Sequence, residues 1–327
     1  MADQRNQVNI PSNLVPKVWA KKVWHEGVKD SYFDKFTAMD GSNVVHQNKD
    51  LTNVKGDSVV FGLMMNLTGS GVEGNRVRLS GQEDALNIYD FTVQTQLVRN
   101  AVSRFEADDQ RSQFDMLKEI KVVLKQWLSD WLDDRLIYKL SYNPTSGETL
   151  YASAANTQAS ITANDKLTTT IISRAKRKAM MHGPKVQPIK VDGMDKYIML
   201  VSPWAAKDLK DDAKWLAAQQ NANVRGSKNP IFTGALGEYD GVILYEYERV
   251  QSDSSGASSA NVCHNLLLGK QAACFAVARP AKHIEQTDDY GNIAGNGISF
   301  YGAVEKTKFN MKDYGVINVM TGGVVER

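Results

Sequence analysis

The segment from Asp109 to Tyr142 constrains the fold of this chain more than any other stretch. Its apolar residues recur at spacings of three and four and so share one helical face: Leu117, Ile120, Leu124, Trp127, Leu128, Trp131 and Tyr138. The opposite face is expected to be solvated and carries Glu119, Gln126, Asp130 and Asp133. About 33 residues at 1.5 Å each predict a helix of roughly 50 Å, well above the usual length of about 12 residues. Such a helix would cross a whole domain, and it suits a scaffold better than a catalytic pocket.

Both ends of this predicted helix carry boundary signals. Asp108 and Asp109 can cap and charge its start, and Asn143-Pro144 would stop it. Three leucines drift away from the main stripe, so the C-terminal half is expected to be covered on two sides: Leu132, Leu136 and Leu140.

The composition is that of an ordinary folded protein, and it argues against several classes. Apolar residues make up 42% of the 327 residues and charged residues 23%, with a formal net charge of +2. A net charge this close to zero predicts neither a strongly basic protein that coats nucleic acid nor a strongly acidic protein that binds cations. The polar start and the lack of an apolar run near about 18 residues predict neither a signal peptide nor a membrane span. Cys263 and Cys274 lack metal-type spacing, so we interpret them as small buried residues of a chain that stays reduced in a cytoplasm.

Two apolar stretches around a glycine-rich segment predict a long antiparallel hairpin. The first strand is 58–67 and the second is 88–97, where Phe91 and Val93 alternate with polar residues. The tip between them, 68–80, holds Gly69, Gly71, Gly74, Arg76 and Arg78. Because such a tip cannot be buried in its own core, it either extends into solvent or lies on another surface.

The same glycines form a GxGxxG pattern at 69–74, which raises the alternative of a cytoplasmic nucleotide-binding enzyme. Asp90 follows at about the 20-residue distance expected of a ribose acceptor. A dinucleotide site also needs a helix that begins within the motif, whereas residues 75–81 alternate and then break at glycine. We therefore interpret the glycines as a hairpin tip; a helix starting at Gly71 would favour the enzyme.

Other catalytic and metal-binding patterns do not occur in the sequence. The five histidines are scattered, and the chain contains no HExxH, GxSxG or Walker-type phosphate loop. Asp130, Asp133 and Asp134 cluster on one helix turn, and a solvated face is the default interpretation, with a cation site as the alternative. The sequence thus predicts no catalytic residue, no metal and no cofactor, and so no enzyme.

The rest of the chain predicts an α+β fold with one dominant helix and strands that do not alternate regularly with helices. We expect helices at 167–181 and from Pro203 through Leu216, and strands at 197–201, 242–247, 298–304 and 316–320. Residues 266–277 form an apolar run, the last third of which fits either a helix or a strand.

Two segments keep two interpretations each. An N-terminal arm anchored by Trp19 and Trp24 either docks on its own domain or lies on a neighbouring subunit. The basic residues at the end of helix 167–181 form either a solvated face or a contact with packaged nucleic acid; they are Arg174, Lys176, Arg177 and Lys178.

Three blocks of residues resemble the major capsid proteins of tailed phages, in particular the coat proteins of N4-like podoviruses. The first runs from Gly74-Asn75 through Leu79-Ser80-Gly81-Gln82-Glu83 to Leu128-Ser129-Asp130-Trp131-Leu132. The second block, which is the most specific, is Tyr197 to Trp204 followed by the long contiguous match Asn229-Pro230-Ile231-Phe232-Thr233-Gly234-Ala235-Leu236-Gly237-Glu238-Tyr239-Asp240-Gly241-Val242. The third is Leu268-Gly269-Lys270-Gln271-Ala272.

The resemblance implies an HK97-like capsid fold with a specific division of the chain. Residues 1–45 would form an N-terminal arm, 46–100 an extended β-hairpin (E-loop), 101–190 a peripheral domain with the spine helix at 109–142, 191–280 an axial domain, and 281–327 strands that return to the peripheral domain. The tips of the axial domains would meet at the centre of a hexamer or pentamer.

The function implied by the resemblance is self-assembly as hexamers and pentamers into the icosahedral head of a tailed double-stranded DNA phage, after synthesis in the host bacterial cytoplasm. The implied partners are other copies of the chain, a portal protein, a decoration protein, the packaged DNA and a separate scaffolding protein, because the spine follows too soon for a fused scaffold. The subunit-interface candidates are Trp19, Trp24, Gly69, Gly71, Gly74, Arg76 and Arg78, and the DNA-facing candidates are Arg174, Lys176, Arg177 and Lys178.

Overall fold

A computed structural model describes residues 31–49, 57–64, 67, 69, 71–74, 80, 83–112, 115–145, 147–152, 155–181, 183, 185–191, 193–220 and 236–323. The helices are α1 (Glu106–Arg111), α2 (Met116–Ser141), α3 (Thr169–Met181), α4 (Pro203–Lys210) and α5 (Ala213–Gln220). The strands are β1 (Thr37–Ala38), β2 (Val45–Asn48), β3 (Ser58–Met64), β4 (Ile88–Gln94), β5 (Gln96–Phe105), β6 (Thr149–Tyr151), β7 (Ile189–Val191), β8 (Met194–Val201), β9 (Glu238–Tyr239), β10 (Val242–Glu246), β11 (Ser252–Asp253), β12 (Asn261–Leu268), β13 (Ala273–Asp288), β14 (Ile293–Lys306), β15 (Lys308–Phe309), β16 (Lys312–Asp313) and β17 (Val316–Gly323).

Two mixed sheets organise the described residues. A five-stranded sheet has the order β1-β2-β13-β14-β5, and its long antiparallel pair β13–β14 ends in a tight turn. An eight-stranded sheet follows the path β6-β17-β12-β8-β10-β9, with β11 paired to β12 and β7 paired to β8. Two small antiparallel pairs, β3–β4 and β15–β16, complete the sheets. The predicted α+β class is therefore confirmed.

The dominant helix is shorter than the sequence predicts. It begins at Met116 rather than Asp109, and the Oδ1 atom of Asp115 caps it by accepting a hydrogen bond from the backbone N–H of Lys118 at 3.2 Å. The preceding α1 is separate, because Ser112 adopts an extended conformation with ψ 136°. The predicted start was wrong because a third aspartate provides the cap. The 26 residues of α2 span about 39 Å at 1.5 Å per residue.

The buried face of α2 also differs from the predicted stripe toward its C-terminal end. Leu136 and Leu140 are buried there, as expected for a second covered side, and Ile137 is buried with them, whereas the predicted stripe residue Tyr138 is 38% exposed. Asp133, predicted to be solvated, is buried. It accepts hydrogen bonds from Ser31 Oγ at 2.6 Å and from the backbone N–H of residue 32 at 2.8 Å. These hydrogen bonds connect the described part of the predicted N-terminal arm to α2 and satisfy the buried carboxylate.

The eight-stranded sheet is covered on both faces, so its strands are almost continuously apolar. Along β8, Met199 belongs to the core that contains α3 and α4, whereas the next residue, Leu200, belongs to the core that contains the end of α2. Leu267 and Leu266 divide between the same two cores on β12. The alternating faces of each strand therefore tie α2 to the helices on the other side.

Several predicted elements are present with different bounds. The helix opened by Pro203 is two helices, α4 and α5, and the run 266–277 contains the end of one strand and the start of another. The predicted terminal strand 298–304 extends to Ile293–Lys306, because it pairs with β5 as well as β13. Residues 229–235 of the longest matching block lie outside the described residues.

Candidate functional site

The hairpin predicted between 58 and 97 is confirmed in the described residues. β3 and β4 pair antiparallel from Ser58↔Gln94 to Met64↔Ile88. The second strand is interrupted at Thr95, whose backbone N–H donates to the carbonyl oxygen of Asp57, and the chain then continues as β5. The hairpin therefore leaves the five-stranded sheet at a defined corner.

The two faces of this hairpin differ: the inner face is apolar, whereas the outer face combines the exposed apolar residues Val60, Met64 and Ile88 with polar ones, namely Ser58, Asp90, Thr92 and Gln94. On the inner face, Val59, Phe61 and Val93 are buried against β13. On the outer face, Met64 and Ile88 are each 63% exposed and directly opposite one another. A two-stranded sheet with apolar side chains on its open face is typical of a surface that another chain covers.

The glycine-rich tip shows no feature of a nucleotide site among its described residues. Gly71 and Gly74 have φ values of +67° and +87°, which only glycine adopts easily, and residues 71–73 form no helix. The backbone N–H of Gly69 donates to Asp84 Oδ2 at 2.8 Å, so an acidic side chain faces this amide rather than a phosphate. The GxGxxG pattern therefore marks a turn-forming segment, and the dinucleotide interpretation fails where a helix would have to start.

Four of the interface candidates lie outside the described residues, namely Trp19, Trp24, Arg76 and Arg78. Their roles remain predictions. The glycines 69, 71 and 74 follow β3 and are exposed.

The basic cluster on α3 is partly engaged within the subunit. Lys176 Nζ lies 2.8 Å from Asp240 Oδ1, and Lys178 Nζ donates to the carbonyl oxygen of Thr149 at 2.6 Å. Arg174 is half-buried and Arg177 is exposed. The four residues thus lie on one helix, but two of their charges are held by neighbouring elements. Contact with DNA stays a prediction.

A buried ion pair that sequence reasoning missed joins the end of α2 to the last strands. Lys306 Nζ lies 2.7 Å from Asp313 Oδ2, and the two side chains are 3% and 0% exposed. Lys306 also donates to the carbonyl oxygen of Tyr142 at 3.0 Å, and Asp313 accepts from the backbone N–H of Thr145 at 2.9 Å. These hydrogen bonds offset the desolvation of the two charges, which costs several kcal/mol per ion, whereas Asp313 Oδ1 is buried with no hydrogen bond and has only Lys308 Nζ at 3.9 Å.

Glu148 lies beside this pair and is 1% exposed. Burial, followed by the negative charge of Asp313, raises the pKa of Glu148 to about 7, although Lys178, Lys312 and Lys306 act in the opposite direction. A carboxyl that is protonated near neutral pH in the folded state lowers stability when it ionises.

We expect Glu148→Gln to make the subunit more stable at pH 8, by about 1–3 kcal/mol. The folded pKa of about 7 exceeds the ordinary value of 4.5, so the folded state binds more protons between these values. Wild-type stability should therefore fall as pH rises from 4.5 to 7, and this slope should be smaller in the variant. Urea unfolding at several pH values measures how the free energy of unfolding changes with pH. Glu106→Gln, a change at an exposed glutamate, is the control. Equal slopes in wild type and Glu148→Gln would contradict the assignment.

The arrangement that most resembles a catalytic triad is not one. His264 Nε2 lies 2.9 Å from Asp253 Oδ2, but the hydroxyl of Ser255 hydrogen-bonds to Asp253 rather than to the imidazole. The imidazole therefore cannot take the proton of that hydroxyl, as a nucleophilic serine would require.

The two cysteines and the described His, Asp and Glu side chains show no reactive-thiol or metal site. Cys263 and Cys274 are buried, as predicted, and burial raises the pKa of both thiols. Within the described ranges, no group of three His, Cys, Asp or Glu side chains could hold a metal ion. Among the described helices, none is long and apolar enough to cross a membrane.

Comparisons with known proteins agree on one family. A family model described as Phage capsid protein matches residues 8–144 and 142–325. The chain is 25% identical over 372 residues to the major capsid protein of Pseudomonas phage KPP25, covering 97% of this chain and 98% of that protein.

Solved structures show the same similarity over nearly the whole chain. The capsid of Ralstonia phage GP4 matches with a TM-score of 0.84 and 27% identity, covering 98% of both chains. The capsid of cyanophage Pam1 matches with a TM-score of 0.85 and 22% identity over 100% of both chains. The capsid of Helicobacter pylori bacteriophage KHP30 matches with a TM-score of 0.76 and 18% identity, covering 98% of this chain and 100% of that one.

Proposed function

Since the chain belongs to the phage capsid protein family and is a phage major capsid protein of HK97-like α+β fold, we propose that its copies assemble as hexamers and pentamers into the icosahedral head of a tailed double-stranded DNA phage. The more specific resemblance to N4-like podoviruses stays a prediction. The outer face of the hairpin carries the proposal, because its apolar side chains need a cover that the subunit does not provide in its described residues.

In this proposal the hairpin is the E-loop and lies across the neighbouring subunit. The proposal divides the chain as the resemblance implies: 1–45 would be the arm, 46–100 the E-loop, 101–190 the peripheral domain, 191–280 the axial domain and 281–327 the strands that return to the peripheral domain. Within the described residues, β14 pairs with β5 and β13, whereas β17 lies in the eight-stranded sheet beside β12. The C-terminal strands would thus brace both proposed domains.

The proposed partners follow from a shell that closes around DNA. They are other copies of the chain, a separate scaffolding protein, a portal protein, a decoration protein and the packaged DNA, which would meet the exposed Arg177 and the half-buried Arg174 non-specifically. Synthesis would take place in the host bacterial cytoplasm, and the mature location would be the virion. We propose no enzymatic activity.

We expect the double charge reversal Arg76→Glu and Arg78→Glu to stop shell closure while leaving the subunit folded. These two residues of the hairpin tip would pair with carboxylates of the next subunit, and like charges across an interface cost several kcal/mol. Sedimentation of the expressed variant measures closure, and circular dichroism checks folding. Particles of normal size and yield would rule out this role for the tip.

A further inference from the structure

The far half of the five-stranded sheet, where β13, β14 and β5 run side by side, has two different faces. On one face α2 packs against the strands, with Leu128 in a cluster that includes Phe300 and Ile298. Lys121 of α2 also pairs with Glu285 on this face, with 2.8 Å between Nζ and Oε1. Side chains one position along each strand belong to the opposite face. We call this second face the open face of the sheet.

A row of cations crosses the open face. Ser299 of β14 is directly opposite Arg99 of β5 on one side and Lys282 of β13 on the other, so these three side chains share the face. Arg99 and Lys282 are exposed, and Arg279 lies beside them, where its Nη2 atom donates to Ser299 Oγ at 3.3 Å. Glu285, the nearest carboxylate along β13, pairs with a lysine of α2, and within the described residues Arg99 and Lys282 form no ion pair. This cationic row therefore attracts a carboxylate from another chain.

The next row toward the tip of the β13–β14 pair is apolar and shallow. It consists of Ala101, Gly297 and Ile284, which are directly opposite one another on the three strands. Ile284 is 46% exposed, and a Cβ atom built at Gly297 would lie 3.4 Å from that of Ala101, which is an ordinary contact. The subunit by itself thus has room for a side chain at Gly297. A glycine inside a strand often marks a place where another backbone approaches closely.

The outer face of the β3–β4 hairpin carries a matching pair of rows. Asp90, the one charged residue on the outer face of these two strands, is exposed and directly opposite Gly62, where a Cβ atom would meet no atom within 4 Å. The next row consists of the exposed residues Met64 and Ile88. On one face of either sheet, successive rows are two residues or about 6.8 Å apart. When Asp90 lies over the cationic row, Met64 and Ile88 can therefore lie over the apolar row.

The hairpin of the same subunit does not present this face to its own sheet. Its inner face packs against Cys274 and Ala276, in a cluster that Ala303 joins. Ala303 is four residues along β14 from Ser299 and lies on the same face of the strand. The subunit's own hairpin thus covers the near end of the open face and turns its outer face away from the sheet. The matching outer face must come from a second copy.

We propose that the outer face of the β3–β4 hairpin of one subunit binds on the open face of the sheet in a second copy, where Asp90 pairs with Arg99 and Lys282 and the side chains of Met64 and Ile88 cover Gly297. This inference rests on the proposed assembly and specifies the surface that the hairpin would occupy. The two surfaces differ, so the contact is heterologous and can repeat around a ring of subunits. The ion pairs would fix the register of the hairpin on the sheet.

Carbodiimide cross-linking of purified wild-type particles tests the ion pair directly, because the reagent joins a lysine to a carboxylate only when the two groups touch. The linked peptides are identified by mass spectrometry, and the Lys121–Glu285 pair within one subunit is the control for the reagent. We expect a link between Lys282 and Asp90, found in covalent dimers and larger multimers on denaturing gels. If the Lys121–Glu285 link forms without the Lys282–Asp90 link, or if the latter occurs only in monomers, the proposal is overturned.

Charge reversal tests whether the same contact supports assembly. Asp90→Arg and, separately, Arg99→Asp with Lys282→Asp should each lower the yield of closed shells at least about tenfold, because like charges then face each other. All three changes in one chain restore opposite charges and should return the yield to within about threefold of wild type. Circular dichroism identifies the folded variants. Normal shells from the folded Asp90→Arg variant, or a folded triple variant as defective as the other two, would contradict the proposal.

The wild-type chain separates failure of this inference from failure of the proposed function. If wild-type protein forms no shells, hexamers or pentamers, the proposed assembly itself is wrong. If wild-type shells form but lack the Lys282–Asp90 link, the assembly stands and only the placement of the hairpin is wrong.

Discussion

Replacement of Lys306 by methionine is expected to lower the free energy of unfolding by about 3–5 kcal/mol. The loss of the ammonium leaves the carboxylate of Asp313, which has no exposed surface, without its partner at 2.7 Å. It also removes the donor to the carbonyl oxygen of Tyr142, at the end of α2. Urea unfolding of the unassembled subunit at pH 8 measures the change.

Two further variants separate this effect from a general loss of a lysine. Lys118→Met removes a lysine that is 80% exposed and forms only a surface pair with Asp115, so we expect a change within about 0.5 kcal/mol. The double variant Lys306→Met with Asp313→Asn removes both charges and should recover more than half of the loss, because the buried unpaired charge causes most of it. A single-variant loss below about 1 kcal/mol would show that the pair is solvated.

The double variant Met64→Lys with Ile88→Glu is expected to abolish closed shells without unfolding the subunit. These residues face each other across the hairpin, so the new opposite charges can pair and preserve the two-stranded structure. The outer face, however, loses two apolar side chains that would each contribute about 1.5–3 kcal/mol when buried by a neighbour. Each contact between subunits should therefore weaken by at least about a hundredfold. Sedimentation and negative-stain microscopy measure the shells, and thermal unfolding measures the subunit.

A matched change elsewhere on the surface controls for added charge. Met180→Glu with Met181→Lys alters two exposed methionines at the end of α3, away from the hairpin. We expect shells of normal size from this variant. Normal shells from the hairpin variant as well would show that its outer face is not an interface.

The hairpin was predictable from the sequence because its signals are local. Alternation of apolar and polar residues and the glycines between the two strands suffice to predict β3, β4 and the tip. The start of α2 was harder, because Asp108, Asp109 and Asp115 can all cap a helix, and only the structure shows that Asp115 does.

Helical periodicity indicated that Asp133 is buried, although its charged side chain favoured the prediction of a solvated position. It shares a helical face with Leu136, Ile137 and Leu140, at spacings of three, four and seven, so periodicity alone would have placed it inside. Its partners at residues 31 and 32 are about a hundred positions away, and no local sequence pattern predicts the contact. The same holds for Lys306, which meets the end of α2 more than 160 positions earlier in the chain. Contacts between distant segments create these buried polar sites, so a single sequence does not reveal them.

The central claim is that copies of this chain build a closed shell. Sedimentation with negative-stain microscopy tests it most directly, on the protein expressed alone and then with the neighbouring genes of its operon. Closed shells, or hexamers and pentamers, are the predicted result, and a requirement for the neighbouring genes would identify a separate scaffold. A uniform small oligomer under both conditions would contradict the account.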